Sequence, residues 1–325
     1  MVPPMKQLPI LTFVVLTAAA LVPAQELRKA LAQADLVAVG RQVGKDAHGD
    51  DLVLHRVQIL DGIRGTEGAT AVTVLDWPGL SLHNRPMPRQ SRLYCLQDAT
   101  AMATRLGLPA ERGPYYRMSG QPGSNPLVGA DRAAAPSVRL ARVLAAAEAG
   151  ARPATTATGL VELALQALDG VGTESARLLA ERPDLRAQLS PPHWSQLAAA
   201  ASGETAIGHK VALCELCAEQ RVPGLIDAMV VALASVQDAE YAIAVGRLAA
   251  HLHGEEATAM LRERLLRTPN AAERAALLLA IGATRTDSAL TALLDLRRTT
   301  GSDAAVDAAL LAHRSKQARD AVARK

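Results

Sequence analysis

Beyond its first two dozen residues this chain has no phenylalanine. The single Phe of the 325 residues, Phe13, lies in the apolar N-terminal run, and aromatics make up only 2% of the whole. A core with so few rings has to be built from Leu, Ala and Val. Hydrophobic residues are 49% of the sequence, which is ample for that purpose, and Ala and Leu favour helix. Cysteine is scarce as well. Cys95, Cys214 and Cys217 are the complete set, too few and odd in number for a disulfide-stapled scaffold, so stability must rest on packing. No sign of charge dominates. Thirty-five Lys and Arg are interleaved with 32 Asp and Glu, for a net charge of +3, and this gives no electrostatic footprint for nucleic acid. The basic stretch His313–Lys325 reads as a solvated helix end. The common catalytic signatures are also missing: there is no GxSxG, no HExxH and no phosphate-cradling glycine loop. No catalytic residue and no cofactor is assigned on this basis.

What is present begins with an export signal. Lys6 precedes an apolar run from Leu8 to Val22, which closes on Val22-Pro23-Ala24. Cleavage is expected after Ala24, leaving Gln25 first. The run is shorter than the roughly 20 apolar residues of a spanning helix. No Cys follows it for lipid attachment, and no later segment is long and apolar enough to span. The expectation is an exported protein, periplasmic or extracellular, not membrane-spanning after cleavage.

The next hundred residues change character. After a short helix over Glu26–Gln33, five brief β-type runs appear: Asp35–Val39, ended by Gly40, then Leu52–Leu60, Ala71–Trp77, Arg92–Leu96 and Tyr115–Met118. In the second run Val53, Val57 and Ile59 share one face at period two, with His55 among them. Gly62, Gly65 and Gly68, the Pro-rich stretch 78–89 and SGQPGSN over 119–125 punctuate the runs. Five such strands close into a small barrel or pack as a sandwich. The few rings in this part, Trp77, Tyr94, Tyr115 and Tyr116, are expected in its core.

From Pro136 the pattern is helical. Leu140, Val143 and Leu144 form a stripe in Val138–Glu148, and ARPATTA over Ala151–Ala157 has the composition of a linker. Further breaks fall at Gly170, Pro183, Pro191-Pro192, Gly203, Gly254 and Pro269. Asp238–Leu252 aligns Tyr241, Val245, Leu248 and Leu252, and Glu255–Thr268 aligns Ala257, Leu261 and Leu265. Asn270 caps a third helix, with Glu273 placed for a box-like cap, and this helix is expected to stop at Gly282. A fourth starts near Asp287 with Leu290, Leu293 and Leu294, and a fifth follows Ser302. Helix starts near Val222, Glu255 and Asp287 are 33 and 32 residues apart, a spacing that signals stacked helix pairs. The expected fold is therefore α+β and multidomain. Residues 1–24 are the signal, 25–133 the small β domain, 134–157 a helix and linker, and 158–325 the helical repeats.

NAAERAALLLAIG over Asn270–Gly282 followed by DSALTALL over Asp287–Leu294 resembles a HEAT-like repeat: an Ala-rich first helix bearing an Arg, a turn with Gly, and a Leu-rich second helix. The resemblance extends from about Thr205 to the C-terminus and implies a curved α-solenoid that binds proteins or other partners. ADLVAVG (Ala34–Gly40), HRVQILDGIRG (His55–Gly65) and RLYCLQ (Arg92–Gln97) resemble the oligonucleotide/oligosaccharide-binding-like barrels of netrin-like and metalloprotease-inhibitor-like modules. Those inhibitors carry a Cys at the mature N-terminus. Here Gln25 stands there, so their chelating mechanism does not carry over.

Few residues suggest chemistry. Cys214-Glu-Leu-Cys217 has the spacing of a redox pair or half a zinc site, yet it lies inside an Ala/Leu helix, where two small side chains in the core are the plainer reading. His251 and His253 are candidates to complete a metal site with Cys214 and Cys217, but residues two apart on a helix do not face each other. No metal is assigned. His209 is expected at the surface. Asp46, Asp50 and Asp51 around Gly49 read as a polar hairpin tip rather than a calcium loop. The function expected is that of a non-catalytic exported scaffold binding an unidentified protein partner through its helical repeats. The alternative is a secreted inhibitor or ligand-binding module acting through the β domain.

Overall fold

The computed structural model describes residues 24–49, 51–77, 89–118, 126–166, 170–203, 205–236, 238–301 and 303–323. The signal-peptide reading, most of the Pro-rich stretch and SGQPGSN fall outside these residues. No described helix is long and apolar enough to cross a membrane.

Five strands form a closed barrel: β1 (Leu36–His48), β2 (Leu52–Arg64), β3 (Ala71–Asp76), β4 (Ser91–Asp98) and β5 (Tyr115–Met118), in the order β1-β2-β3-β5-β4. All pairings are antiparallel except β3 with β5. Alternation sorts the side chains. Leu36, Ala38, Val57, Val72, Val74, Tyr94 and Leu96 fill the interior. Leu52, Leu54, Leu75 and Tyr115 face the other way, under α2 (Thr100–Arg105) and Leu108.

β1 is longer than the sequence suggests. It passes through Gly40 and continues to His48, with a bulge at Gly40 and another before Gly44. Gly40 is there for close approach. A Cβ on it would stand 2.7 Å from Val57 Cγ1 and 3.1 Å from the Tyr94 ring. The turn after β1 contains Gly49 at φ +67° between the paired His48 and Leu52, which puts Asp51 at a hairpin tip; Asp46 lies within β1 opposite Leu54, and Asp50 is outside the described residues.

Fifteen α-helices are described, thirteen of them after the barrel. The barrel does not stand apart from the helices. Val37, Val39, Leu93 and Cys95, on the outer faces of β1 and β4, belong to one continuous core. That core also takes in Leu27, Ala30 and Leu31 of α1 (Ala24–Gln33), Val138 and Leu140 of α3 (Pro136–Glu148), and Leu160 and Val161 of α4 (Pro153–Ala164). Arg64 at the end of β2 fastens this junction. Its guanidinium donates to the carbonyls of Leu31 and Ala34 and pairs with Glu148, while Arg142 reaches Asp61 at 2.5 Å. Residues 153–157, expected as linker, are instead the first turn of α4. Pro153 occupies the first helical position, where its fixed φ helps and its missing N–H costs nothing.

α5 (Gly170–Glu181) receives α1 through Arg28, which donates to the buried Glu174 at 3.1 Å and pairs with Glu181 at 2.8 Å. Beyond it, α6 (Pro183–Arg186) and α7 (Pro191–Ser202) lead to a regular series: α8 (Ile207–Glu219), α9 (Leu225–Ala232), α10 (Ala239–His253), α11 (Glu256–Arg267), α12 (Ala271–Thr284), α13 (Asp287–Thr300), α14 (Ala304–His313) and α15 (Lys316–Ala323). The even members start 32, 32 and 33 residues apart, and α9, α11 and α13 start 31 apart.

Caps set these starts. Asp238, Asn270, Thr286 and Asp303 each accept backbone N–H groups of the helix that follows. Glu273 does not complete the box expected at Asn270. Its carboxylate turns to Arg264 at 2.8 Å and Thr268 at 3.3 Å.

α12 does not stop at Gly282. It runs to Thr284 and ends on Arg285 in the left-handed region. Gly282 serves packing: an added Cβ would lie 2.0 Å from the Ala309 carbonyl oxygen of α14. One pair earlier, Gly246 stands in the same relation to Ala280 of α12, also at 2.0 Å. The even helices thus touch backbone to backbone, α10 on α12 and α12 on α14, whereas α11 packs mainly on α10 and α12 and meets the start of α13 only through side chains such as Thr258 with Thr286 at 2.7 Å.

Candidate functional site

The spacing of the even helices builds one surface. α12 is flanked by α10 and α14 and covered by α11 and α13, which leaves a single stripe of each even helix uncovered. On α10 this stripe carries Glu240, Arg247 and His251. On α12 it carries Ala272 with half-buried Ala276 and Leu279. On α14 it carries Ala304, Ala308 and Leu311. The surface is therefore charged at α10 and becomes apolar and small-residue across α12 and α14. Leu311 is about half exposed, at 52%. Away from this stripe, a cleft of about 430 Å³ between α13 and α15 is lined by Leu294, Arg298, Lys316 and Asp320.

The residues singled out for chemistry are separated. Cys214 and Cys217 are fully buried on α8, unbonded, and burial pushes both thiols up to about 12. At neutral pH they are protonated and inert. His251 and His253 are exposed at the far end of α10. Among the described residues no three His, Cys, Asp or Glu side chains are grouped to hold a metal ion.

His209 is not at the surface. It is buried between α8 and α5, with Nδ1 3.4 Å from Thr173 Oγ1, and burial lowers its pKa. The reason is rotational: His209 shares the face of α8 that also carries Leu213 and Leu216. Its neighbour Lys210 is likewise buried and places Nζ 5.7 Å from the centre of the Tyr241 ring.

One polar group of residues was not singled out from the sequence. At one end of the barrel, Gln42, His55, Asp76 and Arg92 point inward from four different strands and are 7%, 6%, 2% and 8% exposed. His55 Nε2 and Asp76 Oδ2 are 3.1 Å apart. Burial lowers the pKa of Arg92 and pushes that of nearby Tyr94 up to about 12. The signal was there in the alternation. Each of the four sits at the end of an inward period-two series: 36-38-40-42, 55-57-59, 72-74-76 and 92-94-96.

No family model matches the chain, and neither a curated protein nor a solved structure shows significant similarity to it.

Proposed function

We propose that this chain is a non-catalytic exported scaffold that binds a protein partner along the even-helix face of a HEAT-like solenoid. The supporting observation is that the same two joints recur in successive helix pairs. The glycine contact Gly246–Ala280 returns as Gly282–Ala309. The ion pair Arg264–Glu273, which ties α11 to α12, returns as Arg297–Asp307 between α13 and α14. Repeated joints give a repeated unit, and stacked units present an extended surface of the kind such arrays use for partners. The apolar portion of that surface over α12 and α14, bordered by charge on α10, matches the make-up of a protein-binding patch. A second reading, a ligand-binding module in an oligonucleotide/oligosaccharide-binding-like barrel, is supported by the strand order β1-β2-β3-β5-β4 and by the polar barrel end.

The test is affinity capture with the full chain from Gln25, applied to an extract of the source cell's envelope. Leu311→Glu and Arg247→Glu alter the even-helix face; Leu266→Glu, on an exposed position of α11, and Val43→Glu, on the barrel, are controls. A protein retained by the wild type and the controls but lost by both face variants supports the scaffold. Loss only in Val43→Glu moves the interface to the barrel. Capture of nothing, or of the same protein by every variant, refutes the proposal.

A further inference from the structure

The stripe that α10 leaves open carries two opposite charges set two turns apart. Glu240 and Arg247 are both exposed and enter no ion pair among the described residues. Their spacing of seven residues puts them about 10 Å apart on one helix face. Half-buried Ile243 sits between them. The open stripe of α12 is a hollow followed by a knob. Ala272, Ala275 and Ala276 leave a low floor, and half-buried Leu279 rises at its C-terminal edge. On each helix, one end of the stripe is the complement of the other.

A foreign partner requires no such relation. A twofold contact does, because where residue i meets j of the copy, j meets i. One axis serves both helices. Laid across α10 midway between Glu240 and Arg247, beside Ile243, it carries each charge onto its opposite in the copy. α10 and α12 run in the same direction, as alternate members of stacked helix pairs do. The close approach of Gly246 to Ala280 sets α12 level with α10 at an offset of 34 residues. The axis therefore meets α12 beside Leu277 and Leu278, and it carries Leu279 onto the space between Ala275 and Ala276 of the copy. That space is the centre of the hole bounded by Ala272, Ala275, Ala276 and Leu279, the four-residue hollow into which a side chain of a facing helix packs. A twofold running along the helices would instead lay the charges of α10 on the apolar stripe of α14 and bury them without a counter-ion.

We propose that a second copy of this chain occupies the even-helix face, turned about an axis across α10 and α12. Glu240 of each copy meets Arg247 of the other, and Leu279 seats among the alanines of α12. The inference rests on the reading of this face as the binding surface, and it names the partner. Helix stripes about 9 Å apart and about 15 Å long make a face smaller than the roughly 800 Å² per partner of a standard interface, so the dimer is expected to be weak, in the micromolar range.

The test is sedimentation equilibrium of the full chain from Gln25, from low to high micromolar concentration. The wild type is expected to pass from monomer to dimer. Glu240→Arg and Arg247→Glu each set like charges against one another twice across the axis, so each is expected to weaken the dimer about tenfold or more. Both positions are exposed, so the fold is kept, as circular dichroism will show. An equimolar mixture of the two variants is expected to dimerise like the wild type, because one chain then presents two cations and the other two anions. Leu266→Glu, on the exposed side of α11, is expected to leave the dimer unchanged. The proposal is overturned if the wild type stays monomeric, if either charge reversal leaves the dimer as tight, if the mixture is no tighter than its components, or if Leu266→Glu is as damaging. A monomeric chain that still retains a different protein through the even helices overturns the dimer and leaves the scaffold reading standing. A monomeric chain that retains nothing overturns both.

Discussion

Gly246→Ala and Gly282→Ala test the packing of the even helices directly. In each case the new methyl carbon would stand 2.0 Å from a main-chain oxygen, Ala280 for one and Ala309 for the other. Ordinary contact needs more than 3 Å, so the facing helices must part by about 1 Å or more along their whole line of contact, since neither atom is on a side chain that can rotate away. Overpacking of this kind costs about 1–3 kcal/mol. Alanine is about 1 kcal/mol better than glycine inside a helix, which offsets part of that. A net loss of up to about 2 kcal/mol is expected for each variant. Two other glycines calibrate the measurement. Gly208 of α8 has nothing within 4 Å of its would-be Cβ, so Gly208→Ala should be neutral or stabilising by up to about 1 kcal/mol. Gly159 of α4 would meet Val143 Cγ2 at 2.8 Å, a side-chain atom that can shift, so Gly159→Ala should fall between the extremes. Urea denaturation followed by far-ultraviolet circular dichroism gives the order. If Gly246→Ala or Gly282→Ala is as stable as Gly208→Ala, the backbone contacts do not exist as described.

Arg28→Ala should destabilise by about 1–3 kcal/mol, because it leaves the Glu174 carboxylate buried without its cation while Arg28 itself is partly solvated; Glu174→Gln in the same background should recover part of the loss in a urea double-mutant cycle. The buried thiols Cys95, Cys214 and Cys217 are raised from the ordinary 9.0 to about 12. Between those values the unfolded chain has released protons that the folded chain retains, so stability should fall as pH rises from 9 toward 12, by up to about 1.4 kcal/mol per unit for each thiol; an unchanged urea midpoint between pH 8 and pH 11 would contradict this. For the same reason native protein at pH 8 should leave all three thiols unlabelled by a thiol reagent, with full labelling in urea. Asn270→Ala removes the acceptor of two helix N–H groups and should cost about 1 kcal/mol in the same denaturation assay.

Much of the architecture was legible because it rests on local periodicity. The five strands and the helices from Asp238 onward follow period-two and 3.6-residue patterns that sequence displays openly. Three of the differences share one cause. Gly40 and Gly282 look like punctuation, yet each is a place where another chain segment comes too close for a side chain. Pro153 looks like part of a linker and is a helix start. Glycine and proline report a local constraint, and only the tertiary partner reveals which one. The polar end of the barrel escaped notice for a related reason. Gln42, Asp76 and Arg92 are far apart in sequence, and each alone is an unremarkable polar residue at a strand end. Pairing of β2 with β1 and with β3 brings Gln42 and Asp76 beside His55, and pairing of β1 with β4 adds Arg92. His209 is polar, yet its position on α8 puts it on the face that carries Leu213 and Leu216.

The glycine contacts also govern how the array answers to force. Where α10, α12 and α14 meet at backbone distance, nothing can be compressed further, and each joint acts as a fulcrum. The odd helices on the opposite side meet through side chains instead, Thr258 with Thr286 at 2.7 Å and Ser288 donating to Glu255 at 2.6 Å. Bending that spreads or gathers the odd layer turns about the glycine line with little change in the even layer, whereas bending that closes the even layer drives main-chain atoms into one another. The helical stack is therefore compliant in one sense and stiff in the other. The spacing of the even-helix surface is held by main-chain contact, while that of the odd layer rests on side chains that can adjust.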